Sequence, residues 1–422
     1  MLDTAGRTAA PAAGPAPRQV PRRSGLGTAV AGMLLIAATY GMARFGVGLF
    51  APRLAAERPD LAEVLGWAAA AQFIAYSVAA VVAARLVDRR PRVGLVLAGA
   101  TATLGSLGVA VASEPIFFVA SVVIAGMGGG FASPALVPVI DAVVALRARA
   151  TAQSVVNTGT GVGVIGAGLV AFLAPSAGSA WVVMAGLSAA AAAAVLLPLR
   201  GHSELGGQVG GRAGGASTRG ERSSSGSVAS MAARPAWRKL AVPGAAAVVA
   251  GAGSALIWTF GPLLVTDSGV VAADQVGWLW IALGAGGLLG TFTGVLVTRV
   301  GEHAGFSVTA GLLALASGVL AWALVTESGP AAYASMAIFG AGYMALSGVL
   351  ILWARQVWPD HAGAGTSLLF IALATGQAVG SAGFGLVQGG WDPAVMAAVA
   401  ASLCLVGGGV AMIEAWTRRA EK

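Results

Sequence analysis

Charge is what this sequence has least of. Asp, Glu, Lys and Arg make up 10% of its 422 residues, where a soluble domain carries about 25%. A chain this poor in charge cannot cover itself with a solvated surface, which excludes an ordinary water-soluble fold. Cysteine occurs once, as Cys404, so neither an internal disulfide nor a thiolate cluster can form. The three histidines, His202, His303 and His361, fall in predicted loops and lack His-x-x-x-His spacing, so no metal site and no cofactor is expected. The apolar runs hold almost no Asp, Glu or His, which removes the clustered acids and bases that a membrane-embedded enzyme needs, and no catalytic residue is predicted. Lysine is nearly absent beside arginine (2 against 23), a skew that reads as codon bias.

What the sequence has instead is hydrocarbon, at 57% of residues. About 20 helical residues cross the ~30 Å core of a bilayer. Twelve such runs can be read, at approximately 27–50, 66–86, 93–112, 116–140, 151–174, 178–199, 241–265, 277–297, 305–325, 331–354, 363–387 and 393–415. Turn residues mark several boundaries, among them Glu114-Pro115, Ser328-Gly329-Pro330 and Gly389-Gly390-Trp391-Asp392-Pro393. The 63 glycines suit close helix approach in lipid. Residues 1–25 read as a disordered tail and 201–238, rich in Gly, Ser and Arg, as a flexible linker. Residues 26–200 and 239–417 form six spans each, and 418–422 a short tail. The expected fold is an all-α polytopic membrane protein of twelve transmembrane helices in two six-helix bundles.

Arginine and lysine placement gives the orientation. With the N-terminus inside, the inner segments hold 22 of these residues and the outer ones only Arg53 and Arg58, while Arg44 lies within a span. That asymmetry is the positive-inside rule. Both termini are expected in the cytoplasm, and the pI near 10.7 needs no nucleic-acid partner to explain it. The two halves repeat: Phe50-Ala51-Pro52 recurs as Phe260-Gly261-Pro262, Gly66-Trp67 as Gly277-Trp278, and Ala84-x-x-x-Asp88-Arg89 as Gly294-x-x-x-Thr298-Arg299, at offsets of 210 or 211. Trp67, Trp181, Trp237, Trp278, Trp322, Trp358, Trp391 and Trp416 fall near span ends, where an interfacial aromatic belt is expected; Trp258 lies deeper.

The loop Ala84-Arg85-Leu86-Val87-Asp88-Arg89-Arg90-Pro91-Arg92 resembles the signature Gly-x-x-x-Asp-Arg/Lys-x-Gly-Arg-Arg/Lys of the major facilitator superfamily. Asp88, Arg89 and Arg92 match, while Ala84 and Pro91 replace glycines; the second half keeps Gly294, Arg299 and Gly301, with Thr298 where an acid would stand. The resemblance implies two pseudo-symmetric bundles and a conformational latch formed by Asp88, Arg89, Arg92 and Arg299. The bases alone could also serve only to fix orientation, and Asp88 separates the two readings. In the fifth span Gly159, Gly163 and Gly168 resemble the superfamily's Gly-rich exporter motif, but Val164 and Ala167 depart from it. The same glycines read directly as a surface for close helix packing. In the first span Gly41, Arg44, Phe45 and Pro52 resemble the YbfB/YjiJ branch, which implies a plasma-membrane transporter without naming a solute.

Arg44 is the costliest residue in any span, since a guanidinium in mid-membrane costs at least ~2.5–3.5 kcal/mol on insertion. Two readings stand: it faces the bundle interior, or it snorkels to the headgroups. Tyr40 shares its face four residues earlier, and the repeat makes Ser254 its counterpart, with Trp258 a turn beyond. The resemblance sets spans one and seven around a central cavity. The candidate substrate-binding residues are therefore Arg44, Tyr40, Ser254 and Trp258, joined by the in-span polar groups Gln72, Tyr76, Asn157 and Gln377, each of which could equally serve helix packing. With no acid to pair Arg44, the expected ligand is an organic anion or a carboxylate-bearing polar solute. The predicted activity is secondary transport by alternating access in the plasma membrane, with the coupling ion open and a proton among the candidates. Export of lipophilic or cationic compounds is the alternative within transport, and a non-transporting receptor the alternative outside it.

Overall fold

The computed structural model describes residues 23–86, 90–145, 148–199, 239–359 and 362–420. The predicted linker 201–238, most of the N-terminal tail and the last two residues lie outside them. Apolar runs of this length have nowhere to satisfy their backbone groups except within helices. Helices are what form, and no strand occurs among the described residues. Proline at the first turn starts the third (Pro91–Val111), fourth (Pro115–Val143) and tenth (Gly329–Val357) spans, where its missing N–H costs nothing.

Eleven helical stretches are long and apolar enough to cross a membrane, and one of them, Ala273–Thr326, runs for 54 residues. That is two crossings, not one. Gly301 breaks it at φ 81°, ψ 172°, a conformation only glycine adopts without strain, and separates the eighth span from the ninth. Twelve crossings result. The first is itself compound: Arg23–Ile36 runs into a π-turn at Ala37–Met42 and resumes as Gly46–Glu57. The first and last described residues, Arg23 and Ala420, thus share one face of the bundle, called here the termini face, and the loops after odd-numbered spans lie on the far face.

Packing repeats between the halves. In the first half the third span pairs with the fourth and sixth, the second with the fourth, and the first with the fifth and sixth. In the second half the ninth pairs with the tenth and twelfth, the eighth with the tenth, and the seventh with the eleventh and twelfth. Each pairing is the other shifted by six spans, as a duplicated sequence requires. Between halves, the second span (Leu65–Leu86) packs on the eleventh (Ala362–Val387), the fifth (Arg149–Leu173) on the eighth, and the first on the seventh (Ala241–Asp267).

Glycine sets the closeness of these contacts. In the fifth span Gly159 and Gly163 receive the first span: a methyl at either would drive into the carbonyls of Met33 and Ala37. Gly161 and Gly168 on the other side of that helix meet Gly284 and Gly277 of the eighth span. The glycine-rich motif is thus a packing surface twice over.

The two far-face arginines have a structural task. Arg53 donates from Nη1 to the Ala174 carbonyl at 2.9 Å, and Arg58 from Nη1 to that of Ala112 at 2.5 Å. Those carbonyls close the C-terminal ends of the fifth and third spans. Glu57 accepts from the Ala177 N–H at 3.0 Å, at the start of the sixth (Ala177–Leu199). Cations meet carbonyl ends and an anion meets an amide end, the sense the helix dipole favours. Arg58→Ala should therefore lower stability by about 1.5–3 kcal/mol, the scale of a charge-assisted hydrogen bond. Thermal unfolding in lipid or detergent, compared with Arg58→Lys, checks this, and no loss in the alanine variant would refute it.

Lipid-facing side chains are large and apolar: Ile116, Val111 and Leu173 are among the most exposed residues. Trp67, Trp278, Trp322 and Trp391 are half exposed near the far-face ends of their spans, as a belt requires. Trp181 departs from that expectation. It is fully buried against Phe50, because the sixth span turns this face inward to the first.

Candidate functional site

A cavity of about 540 Å³ lies between the halves. Its wall includes Tyr40, Tyr76 and Asn157 from the first half and Thr291, Tyr343 and Ser347 from the second. Three of the chain's four tyrosines stand here. No Asp, Glu, His, Lys or Arg lines it among the described residues. Ile36, Asn157, Gly290, Ile351 and Phe370 place the cavity in the termini-side part of each span.

Beyond it the halves close. Phe45 of the first span stacks on Trp258 of the seventh, with ring centroids 3.8 Å apart and 12° between planes. Gly48 lies directly under the Trp258 carbonyl, where no methyl would fit. A methyl on Gly66 would come within 2.8 Å of Gly385 Cα, and one on Gly168 within 2.6 Å of the Gly277 carbonyl. The molecule is open toward the termini face and sealed toward the far face.

Arg44 sits at the head of the cavity but not on its wall. It is 2% exposed and is the one fully buried ionisable cation or acid among the described residues. Its Cζ lies 3.9 Å from the ring centroid of Tyr76, 4.5 Å from Tyr40, and 5.1 Å from both Phe45 and Phe73. Four ring faces thus partly replace water around the guanidinium, each worth about 0.5–2 kcal/mol when desolvated. Nε and Nη1 have no hydrogen-bond partner among the described residues. The side chain points to the interior, and the snorkelling geometry does not occur.

The local fold explains this placement. The Ala43 N–H reaches back five residues to the Ala38 carbonyl at 3.0 Å, so the turn before Arg44 is wide. Such turns recur at functional positions. Gln72 supports it, with Nε2 donating to the Ala43 carbonyl at 3.3 Å. Gln72 thus acts on the backbone beside Arg44 and is absent from the cavity wall.

The other predicted residues divide. Tyr40, Tyr76 and Asn157 line the cavity, with Asn157 accepting from Gln153 at 3.3 Å. Ser254 spends its hydroxyl on the Gly251 carbonyl of its own helix at 2.8 Å and does not reach the wall. Trp258 is buried in the aromatic seal, and Gln377 lies behind Tyr343, donating to its hydroxyl at 3.1 Å. Of the proposed latch, Asp88 and Arg89 lie outside the described residues. Arg92 donates to the Leu199 carbonyl at the end of the sixth span, and Arg299 is exposed at the termini-face end of the eighth. Sequence reasoning missed Tyr343, although the scarcity of tyrosine was a usable signal.

The description of the family model that matches residues 33–381 is Major Facilitator Superfamily. The chain belongs to that superfamily. Solved structures of superfamily shape agree with it over nearly the whole chain. A variant of the peptide transporter POT superposes with a TM-score of 0.70 at 12% identity, covering 93% of this chain and 94% of that one. A D-xylose-proton symporter gives 0.68 at 17%, covering 93% and 97%. The nucleoside transporter NupG gives 0.66 at 13%, covering 93% and 99%. At these identities the likeness shows the fold alone. No curated protein sequence matches the chain. Major facilitator membership makes this polytopic membrane protein a transporter, not an enzyme, and fits the twelve crossings and the repeat-related halves described above.

Proposed function

We propose that the protein is a secondary active transporter of the plasma membrane that moves a small organic anion by alternating access. One observation carries the anionic reading: a buried, caged guanidinium with no carboxylate beside it among the described residues stands at the head of the cavity. An anion seated beneath it supplies the missing countercharge, which arginine binds best through its planar fork. The hydroxyls and amide of the wall suit the polar remainder of such a solute. Nucleosides, a pentose and peptides name the cargoes of the three similar structures, all small and polar. The first-span segment around Arg44 supports assignment to the YbfB/YjiJ branch.

The positive-inside asymmetry supports placing the termini face in the cytoplasm. The conformation is then inward-open. Proton coupling, named for the D-xylose symporter, would need a titratable relay, and the described wall offers only phenols. A thermal-shift screen of the purified protein tests the substrate class, because a ligand that binds only the folded state raises its apparent stability. Stabilisation by carboxylates but not by amines or uncharged sugars is expected. Stabilisation confined to cations or sugars would sink the anionic reading.

A further inference from the structure

Three phenols meet at the head of the cavity, and one of them comes from the second half. Tyr343 lines the cavity yet is 1% exposed, so its ring is fixed and only its edge meets the space. Packing holds the ring: its centroid is 5.1 Å from Trp258, 5.9 Å from Phe339 and 6.4 Å from Phe45. Gln377 holds the hydroxyl, with Nε2 donating to the phenol oxygen at 3.1 Å. Gln377 is fully buried, and its Oε1 has no partner among the described residues. A phenol oxygen that accepts from an amide keeps its own O–H to give, and no acceptor among the described residues takes it. The open volume beside it is the cavity.

We infer that Tyr343, positioned by Gln377, is the second half's hydrogen-bond donor to the cargo. The inference rests on the reading of Arg44 as the site for the cargo's anionic end, and it narrows the substrate class. The solute carries a second acceptor (a hydroxyl, a carbonyl or another carboxylate) some distance from the first anionic group. One end then addresses the first half near Arg44, Tyr40 and Tyr76, and the other addresses the second half at Tyr343. Such a solute bridges the two bodies that move, so occupancy and closure are linked through one molecule. A plain alkanoate would satisfy only the first half.

The test uses the full-length purified protein and measures binding of butyrate, its ω-hydroxy derivative and succinate by titration. Wild type is expected to prefer the two bifunctional acids by roughly tenfold or more, because a site built to hydrogen-bond a group discriminates against the analogue that lacks it. Tyr343→Phe removes one oxygen and should reduce that preference to near unity, the affinity for the bifunctional acids falling toward that for butyrate. Gln377→Met keeps the volume and should lower the preference part-way, a change that loss of packing alone would not confine to the bifunctional acids. An unchanged preference in Tyr343→Phe, with butyrate bound as in wild type, overturns the inference alone. Failure of any carboxylate to bind wild type overturns the anionic reading and the inference with it.

Discussion

Gly48→Ala is expected to drive the transporter out of the conformation described here and toward one open on the far face. A methyl at this position drives into the Trp258 carbonyl, which is backbone and cannot swing aside. Gly48 and Trp258 belong to different halves, so separation of the halves on that side relieves the clash without unfolding either bundle. Overpacking of this kind costs about 1–3 kcal/mol. At 1.4 kcal/mol per tenfold, that moves a two-state equilibrium by roughly 5- to 140-fold. Spin labels at Glu63→Cys and Gln388→Cys, on far-face loops of opposite halves, should report a longer distance in the variant. The native Cys404 is fully buried and leaves the labelling clean. Gly186→Ala, where an added methyl meets nothing, is the matched control. A wild-type distance distribution in Gly48→Ala, with the fold intact, would show that the seam does not set the conformation.

On the proposed anionic reading, Arg44→Ala should abolish transport, with a loss of about 100-fold or more in uptake by proteoliposomes. A buried charge pair loses 2–5 kcal/mol or more when one partner is truncated, and the cargo would lose its one fully buried cationic partner. Arg44→Lys should restore only part of the activity. An ammonium keeps the charge but lacks the flat guanidinium that four rings enclose. Stability should behave differently from flux. Removing an unpaired cation from a membrane span relieves a cost of at least ~2.5–3.5 kcal/mol, so the alanine variant should insert and fold at least as readily as wild type. Wild-type flux in both variants would remove Arg44 from the binding site.

Span order was legible because hydrocarbon length and the residues that start and stop helices are local properties. The run read as 66–86 forms Leu65–Leu86, and that read as 178–199 forms Ala177–Leu199. The glycines of the fifth span announced close packing, and they provide it on two sides. The site was legible only in part. Arg44, Tyr40 and Tyr76 share neighbouring stretches of sequence and do converge. The repeat pointed from Arg44 to Ser254, but a serine in a helix can bond its own backbone, and Ser254 does. Tyr343 meets Gln377 across 34 residues, a relation no local pattern carries. The π-turn was equally hidden: a tertiary contact accompanies it, with Gln72 of another span donating to the Ala43 carbonyl at its end.

That wide turn has a consequence for chain length. An α-helix advances about 100° per residue, so the extra residue held in Ala37–Met42 sets the two parts of the first span out of step by one position. The earlier part presents its Met33 carbonyl to Gly159, the turn itself presents Ala37 to Gly163, and the later part presents Gly48 to Trp258. A regular helix through the same sequence could satisfy the alignment on the fifth span or that on the seventh but not both. The turn is an indexing device, a single-residue offset that lets one stretch of sequence keep two appointments, one within its own bundle and one across the boundary between the halves. Shortening this segment by one residue would leave its composition and hydrophobicity almost untouched and still misdirect half of the span.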